Sequence, residues 1–321
     1  MQTTTKNQLH ALNCLKVLAI LLVFNSHCGN LYPVEALATG GALGNALFFI
    51  ISGYLLKISP DESFWPRIKK RIVQLYPGML IVSVIYAVAF RFYPDSFPTF
   101  VTRFIWPTGY WFVGGLLLFD AVIYFLEKKK IFDKFLLYSV VIWVVYFAYY
   151  FLFIDRSAWT VEEHGVFRLI YYFYIYSFGY CLKSKKIKLN ISSSILLLIS
   201  AFAFTGNFAW KFAMSKVPEL LQIQCICQIL GVLFAVSMLL LALNVEESYC
   251  RFLRGGIAVV DFWSRYSLEI YLTQRTSQRI AQSINFPINL IVAVILTLMY
   301  SLLLKKITGI ICSKVHPSAH A

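Results

Sequence analysis

Charged residues are scarce in this chain: Asp, Glu, Lys and Arg make up 14% of its 321 residues. Soluble domains carry about 25%, so an ordinary water-facing globule is excluded. Acidic residues are the scarcer sign, 15 against 29 Lys and Arg. Histidine is limited to five positions, and no H-E-x-x-H pair or G-x-S-x-G elbow occurs among them or elsewhere, so those hydrolytic signatures are absent. No two cysteines have C-x-x-C spacing. The seven, at positions 14, 28, 181, 225, 227, 250 and 312, are odd in number and lie mostly in apolar runs. Free buried thiols are expected, and no metal site, since Cys225-x-Cys227 is a poor zinc pair. No Gly/Ser/Pro linker and no repeat of about 20–50 residues is present. One integral membrane domain over residues 1–321 is expected, with no attached soluble catalytic domain.

Apolar residues are what the chain does have. They form 59% of it, with 17% aromatic, and the mean hydropathy is +0.70. These values predict an all-α polytopic membrane helix bundle. At ~17–25 residues per span, about ten transmembrane helices are expected, near 11–29, 41–57, 76–92, 104–126, 135–154, 166–183, 190–208, 222–244, 264–282 and 288–305. The net charge of +14 raises the question of nucleic acid, but the cations come in short clusters between apolar runs, as in cytoplasmic membrane loops. One set of loops holds Lys57 and Arg67 to Arg71, then Lys128 to Lys130, Lys183 to Lys188, Arg251 with Arg254, and Lys305 with Lys306. The other set is sparse and includes Arg91, Arg103, Lys211, Lys216, Arg275 and Arg279. The positive-inside rule then places both termini in the cytoplasm. Ala36-Leu37-Ala38 resembles a cleavage tripeptide, but the apolar core ends near Phe24, and Pro33 and Glu35 intervene. A retained signal-anchor helix is expected.

The stretch from Leu12 to Pro77 carries most of the candidate chemistry. Lys16 and His27 are eleven residues apart; on an uninterrupted helix that is a rotation of about 20° beyond three turns and roughly 16 Å of rise, one face for both. Such groups are costly in a membrane unless they face a polar pocket. A snorkelling Lys and a packing His are the plain alternatives. His27 has a ring suited to taking a proton from a hydroxyl. Ser52 and Gly53 sit inside an aromatic helix, where small residues serve packing or a passage. Arg67, Lys69, Lys70 and Arg71 suit lipid headgroups equally with a phosphate clamp. Trp111 follows Pro107 and Gly109, as an interfacial anchor or a sugar-stacking platform. Glu269 lies in the most polar span, four residues after Arg265, as an ion pair or a functional carboxylate.

Taken together these segments resemble the acyltransferase-3 family of integral membrane acyltransferases, over nearly the whole chain. Phe48 to Leu55 matches its FF-x-x-SG-[YF]-L segment. Lys16 and His27 stand where members have an Arg and a key His in the first helix, so the Arg is replaced. Lys70 to Pro77 resembles its Arg-rich segment before a Pro, with Gln74 where an Arg is usual. Tyr110-Trp111-Phe112, Phe178-Gly179-Tyr180 and Ser267 to Leu272 resemble later motifs, and Gln274 occupies a position where a His commonly follows. The resemblance implies an O-acyltransferase of the bacterial cytoplasmic membrane. Its acyl group, most often acetyl, comes from cytoplasmic acyl-CoA and goes to a hydroxyl of a cell-surface polysaccharide or lipid-linked glycan precursor. No permanently bound cofactor and no nucleic-acid partner are implied; the lipid bilayer, acyl-CoA and the glycan are. His27, Lys16 and Glu269 would be catalytic. Arg67, Lys70, Arg71, Ser52 and Gly53 would meet the donor, and Trp111, Tyr110 and Gln274 the acceptor. A polytopic transporter or flippase, with Glu269 and Arg265 as a coupling site, fits the helix count equally, and a scaffold without chemistry is the third class.

Overall fold

A computed structural model describes residues 4–59, 61–106, 108–159, 164–187, 189–245 and 256–315. Lys188, Arg251, Arg254 and Cys250, and the Pro107 that precedes Tyr110, lie outside the described residues. Every regular element among the described residues is a helix. Its principal helices are α1 (Thr4–Ser26), α2 (Gly41–Leu55), α3 (Phe64–Ala89), α4 (Trp111–Lys128), α5 (Phe135–Phe153), α6 (Gly165–Ser184), α7 (Ser193–Lys216), α8 (Cys225–Asn244), α9 (Ile257–Arg265), α10 (Ser267–Ala281) and α11 (Ile288–Val315).

A helix occupies each of the ten expected stretches, and six helical segments among the described residues are long and apolar enough to cross a membrane. Several boundaries differ from expectation. Pro77 lies inside α3, well past its start, so the Arg67–Arg71 cluster is helical; a membrane helix tolerates the lost N–H when neighbours compensate. The stretch expected to begin near 104 forms a π-helical turn over Val101–Ile105, and the continuous helix starts only at Trp111. The ninth expected span is two helices that meet at Tyr266, and α11 runs on beyond Lys305 and Lys306.

The backbone divides into two compact units. The first comprises Met1–Ala19, Ala42–Ile58 and Ile123–Asp261; the second comprises Ile20–Gly41, Ser59–Val122 and Phe262–Ala321. In the first unit, α2 crosses α6 at two glycines. A Cβ on Gly53 would strike the Tyr176 carbonyl oxygen, and one on Gly179 the Ile50 carbonyl oxygen. Their absence lets two backbones touch, the usual way membrane helices gain contact when no water is expelled. Helix α5 is apolar outward and hydroxylic inward. Leu136, Leu137, Val140, Val141, Val144 and Val145 are exposed, whereas Tyr138, Tyr146 and Tyr150 are buried. The Tyr138 hydroxyl donates to Ser177 Oγ at 2.6 Å and Tyr150 donates to the Gln222 carbonyl at 2.7 Å, so these two polar tips are satisfied away from lipid, whereas the buried Tyr146 hydroxyl has no hydrogen-bond partner among the described residues. The start of α1 is tied to α9, where the Asp261 carboxylate accepts from Asn13 Nδ2 at 2.8 Å and meets His10 Nδ1 at 2.9 Å.

The second unit is built on α3, α10 and α11. Gly78 lets α3 approach Leu272 of α10 and Thr308 of α11. Between α10 and α11, Thr273 Oγ1 lies 3.0 Å from Ser301 Oγ, a buried polar contact of the kind that joins helices in apolar surroundings.

Candidate functional site

Helix α1 ends at Ser26, and His27 is the first residue beyond it, in a turn closed by its N–H to the Phe24 carbonyl. The expected uninterrupted helix through His27 is therefore corrected: the ring is presented by a turn, not by a helix face. That turn is pinned from several sides within the second unit. Asn25 Nδ2 donates to the Leu37 and Thr39 carbonyls at 2.8 and 3.0 Å, and its Oδ1 accepts from Tyr32 at 2.6 Å. Gln278 Nε2 of α10 donates to the Phe24 carbonyl at 3.2 Å, and Asn289 Nδ2 of α11 donates to the Leu31 carbonyl at 2.8 Å. The loop bearing the imidazole is thus held by side chains that satisfy its carbonyls, the arrangement that keeps a reactive group in position.

His27 opens onto a cavity of about 230 Å³ lined also by Asn30, Tyr86, Arg275, Gln278 and Arg279. A larger cavity of about 400 Å³, lined by Ser83, Phe92, Arg103 and Tyr110, shares Tyr86 and Arg275 with it. The His27 ring is accessible from its cavity, yet protein atoms around it withdraw bulk water. That desolvation, together with the Arg275 charge, holds its pKa below the ordinary value of 6.5. The ring is therefore neutral at pH 7, the form that accepts a proton. Among the described residues no hydrogen bond engages the imidazole. The neighbouring Cys28 is no competing nucleophile: burial pushes its thiol up to about 11, and its Sγ lies 3.2 Å from the Phe24 carbonyl.

The cations on this cavity meet rings and hydroxyls. Arg279 donates to the Tyr86 hydroxyl at 2.8 Å and lies 4.9 Å from the Phe90 ring centre. Arg275 lies 5.5 Å from the Tyr86 ring centre, and Arg103 donates to the Phe92 carbonyl at 2.5 Å while stacking 3.7 Å over that ring.

The remaining expected residues fall elsewhere. Lys16 is half-buried midway along α1 and belongs to the first unit, whereas His27 belongs to the second. Ser52 and Gly53 belong to the first unit, Gly53 at the crossing already described. Arg67 is buried and pairs with Glu62 at 2.7 Å; Arg71 pairs with Asp120, which is wholly buried in α4. Lys69 and Lys70 are exposed on the same helix. Glu269 is buried and receives Lys305 Nζ at 2.9 Å, while its second oxygen has no hydrogen-bond partner among the described residues. The pairing with Lys305 was not anticipated. Gln274 is buried with its side-chain oxygen likewise unpartnered. Tyr110 lines the larger cavity, packed 6.4 Å from the Tyr271 ring, and Trp111 begins α4 beside it.

Sequence reasoning missed Arg275, Arg279, Gln278, Tyr86 and Asp120. The signal was present: Thr273 to Arg279 is an unbroken polar run inside a chain that is 59% apolar. Counting its arginines as loop charges hid their helical position.

The model of the acyltransferase-3 family, described as an acyltransferase domain, matches residues 9–306. No curated protein and no solved structure matches the chain. The match runs through both compact units and includes α1, α10 and the turn that carries His27. The chain belongs to the acyltransferase-3 family of membrane acyltransferases.

Proposed function

We propose that this chain is an acyl-CoA-dependent O-acyltransferase of a bacterial cytoplasmic membrane, moving an acyl group, most often acetyl, to a hydroxyl of a cell-surface or lipid-linked glycan. The observation that carries the reading is the pinned, neutral His27 facing a cavity large enough for a sugar, in a chain of an acyltransferase family. In this reaction the acceptor hydroxyl oxygen attacks the thioester carbonyl carbon as His27 takes the hydroxyl proton. The C–S bond then breaks, the acyl group stays on the acceptor oxygen, and the CoA sulfur leaves and recovers a proton. Such general-base assistance contributes roughly 10²–10⁴-fold.

The donor-side roles are proposed residue by residue. In the second unit, Lys69 and Lys70 are exposed cations on the helix where Arg67 and Arg71 already pair with carboxylates, so the lysines take the CoA phosphates, with Arg71 as a contact beside them. Lys16, Ser52 and Gly53 are proposed as donor contacts on their own account. Tyr110 and Trp111 offer faces to the sugar, Gln274 offers its unpartnered oxygen to an acceptor hydroxyl, and Glu269 offers the unpartnered oxygen of its carboxylate.

The test is label transfer from radioactive acyl-CoA to a crude glycan fraction by the purified protein. Label in glycan that depends on His27 supports the enzyme. Glycan movement across vesicles without label transfer would make the chain a transporter, and neither activity would leave a scaffold.

A further inference from the structure

The two arginines on the His27 cavity stand at positions 275 and 279 of α10, one turn apart on one helix face. Like charges at that spacing repel. Elsewhere in the described residues, three of the buried or half-buried cations, Arg67, Arg71 and Lys185, meet carboxylates, whereas Arg275 and Arg279 are exposed to the cavity. Among the described residues no acidic side chain lines the His27 cavity or its larger neighbour, and Arg103 adds a third positive charge to the latter. Asp95, which feels the Arg103 charge, lines neither. Three guanidinium groups therefore face two adjoining open cavities with no negative charge on their walls among the described residues, and the local potential favours an incoming anion.

The hydrogen-bonding inventory points the same way. Guanidinium groups only donate. A neutral sugar presents hydroxyls that both donate and accept, and arginine serves half of that need. A carboxylate or a phosphate only accepts, and it fits the planar fork of arginine in a bidentate pair. The forks are held in advance: Arg279 by the Tyr86 hydroxyl and by the Tyr86 and Phe90 rings, and Arg275 by the Tyr86 ring. Tyr86 uses one of the five donors of Arg279 and leaves the rest for a ligand.

We propose that the His27 cavity recognises an acceptor that carries an anionic group, a carboxylate or a phosphate, gripped by Arg275 and Arg279 so that a neighbouring hydroxyl meets the imidazole. This rests on the transferase reading of the same cavity and adds the chemical class of its acceptor. A carboxylate would come from an acidic sugar, and a phosphate from a sugar phosphate or a lipid-linked precursor.

The test is calorimetric titration of the full-length protein in lipid nanodiscs with four probes: trigalacturonate, its fully methyl-esterified form, glucose 1-phosphate and glucose. At low ionic strength at least one anionic probe should bind about tenfold or more tightly than its neutral counterpart, the scale of a charge-assisted hydrogen bond. The preference should shrink as salt rises. Arg275→Gln and Arg279→Gln should each reduce it by about tenfold, and Arg275→Lys should recover part of the loss. A response to trigalacturonate alone assigns a carboxylate, and a response to glucose 1-phosphate alone assigns a phosphate. Equal binding of charged and neutral probes, a preference that survives in the double Gln variant, or no binding of either anion would overturn the proposal. The two readings fail separately. Label transfer that is indifferent to acceptor charge removes the anion site and keeps the transferase. Anion binding without label transfer to any glycan removes the transferase alone.

Discussion

Two groups of cations sit among α3, α10 and α11, and their surroundings treat them differently. Where α3 and α10 begin, Arg67 meets Glu62, Arg71 meets Asp120, and Lys305 of α11 meets Glu269. Where α3 and α10 finish, Arg275 and Arg279 meet the Tyr86 ring and hydroxyl, beside a neutral histidine and an open cavity. Paired charges hold structure together, because removing one partner strands the other in a low dielectric. Cations left facing a cavity hold little in place and are available to a ligand. The difference separates residues whose loss should unfold the protein from those whose loss should disable it.

The comparison predicts a graded series of stability effects. Arg71→Ala, which takes a cationic partner from the wholly buried Asp120 carboxylate, should cost about 3–5 kcal/mol, read as a lowered midpoint in denaturant unfolding of the solubilised protein. Little change there would mean that the paired end is not structural. Lys305→Ala strands Glu269 less completely, since Lys305 is 47% exposed and water reaches its side of the pair; a loss of about 1–2 kcal/mol is expected, near that of one unsatisfied group. Gly53→Ala should destabilise by about 1–3 kcal/mol through overpacking against the Tyr176 carbonyl, and should do so with no substrate present, which a purely substrate-lining glycine would not. Arg275→Gln should change stability by less than about 0.5 kcal/mol.

Arg275→Gln should instead be visible in the pH profile. The Arg275 charge helps hold the His27 pKa below 6.5, so the base stays neutral and active as pH falls below 6.5, and the rate drops only on passing the lowered pKa. Removing that charge lets the pKa rise, so the acid limb of kcat/KM should move to higher pH. An unmoved limb would mean that the limb belongs to a group other than His27.

Periodicity and charge reveal different amounts of this molecule. Helix α5 is read almost to the residue, since Phe135–Phe153 is a continuous apolar run with polar breaks on both sides. The start of α3 is not, because Pro77 suggests a first turn and only neighbouring helices show that it is tolerated inside one. His27 stands out by chemistry, as an ionisable group at the end of an apolar run. Its partners do not: Arg275 and Gln278 are brought to it by the packing of α10 against the end of α1, a tertiary fact with no local signature. Asp120 is equally hidden, a carboxylate in the apolar middle of α4 that meets an arginine 49 residues earlier.

The most direct test of the account is acyl transfer by His27→Gln at matched expression and membrane insertion, with acyl-CoA binding measured alongside. Gln keeps hydrogen-bonding capacity but cannot take the proton. The account predicts unchanged donor binding and unfolding midpoint, with glycan acylation reduced by roughly 10²–10⁴-fold. Transfer at the wild-type rate would contradict it, because the pinned imidazole on the arginine-lined cavity would then not be the base.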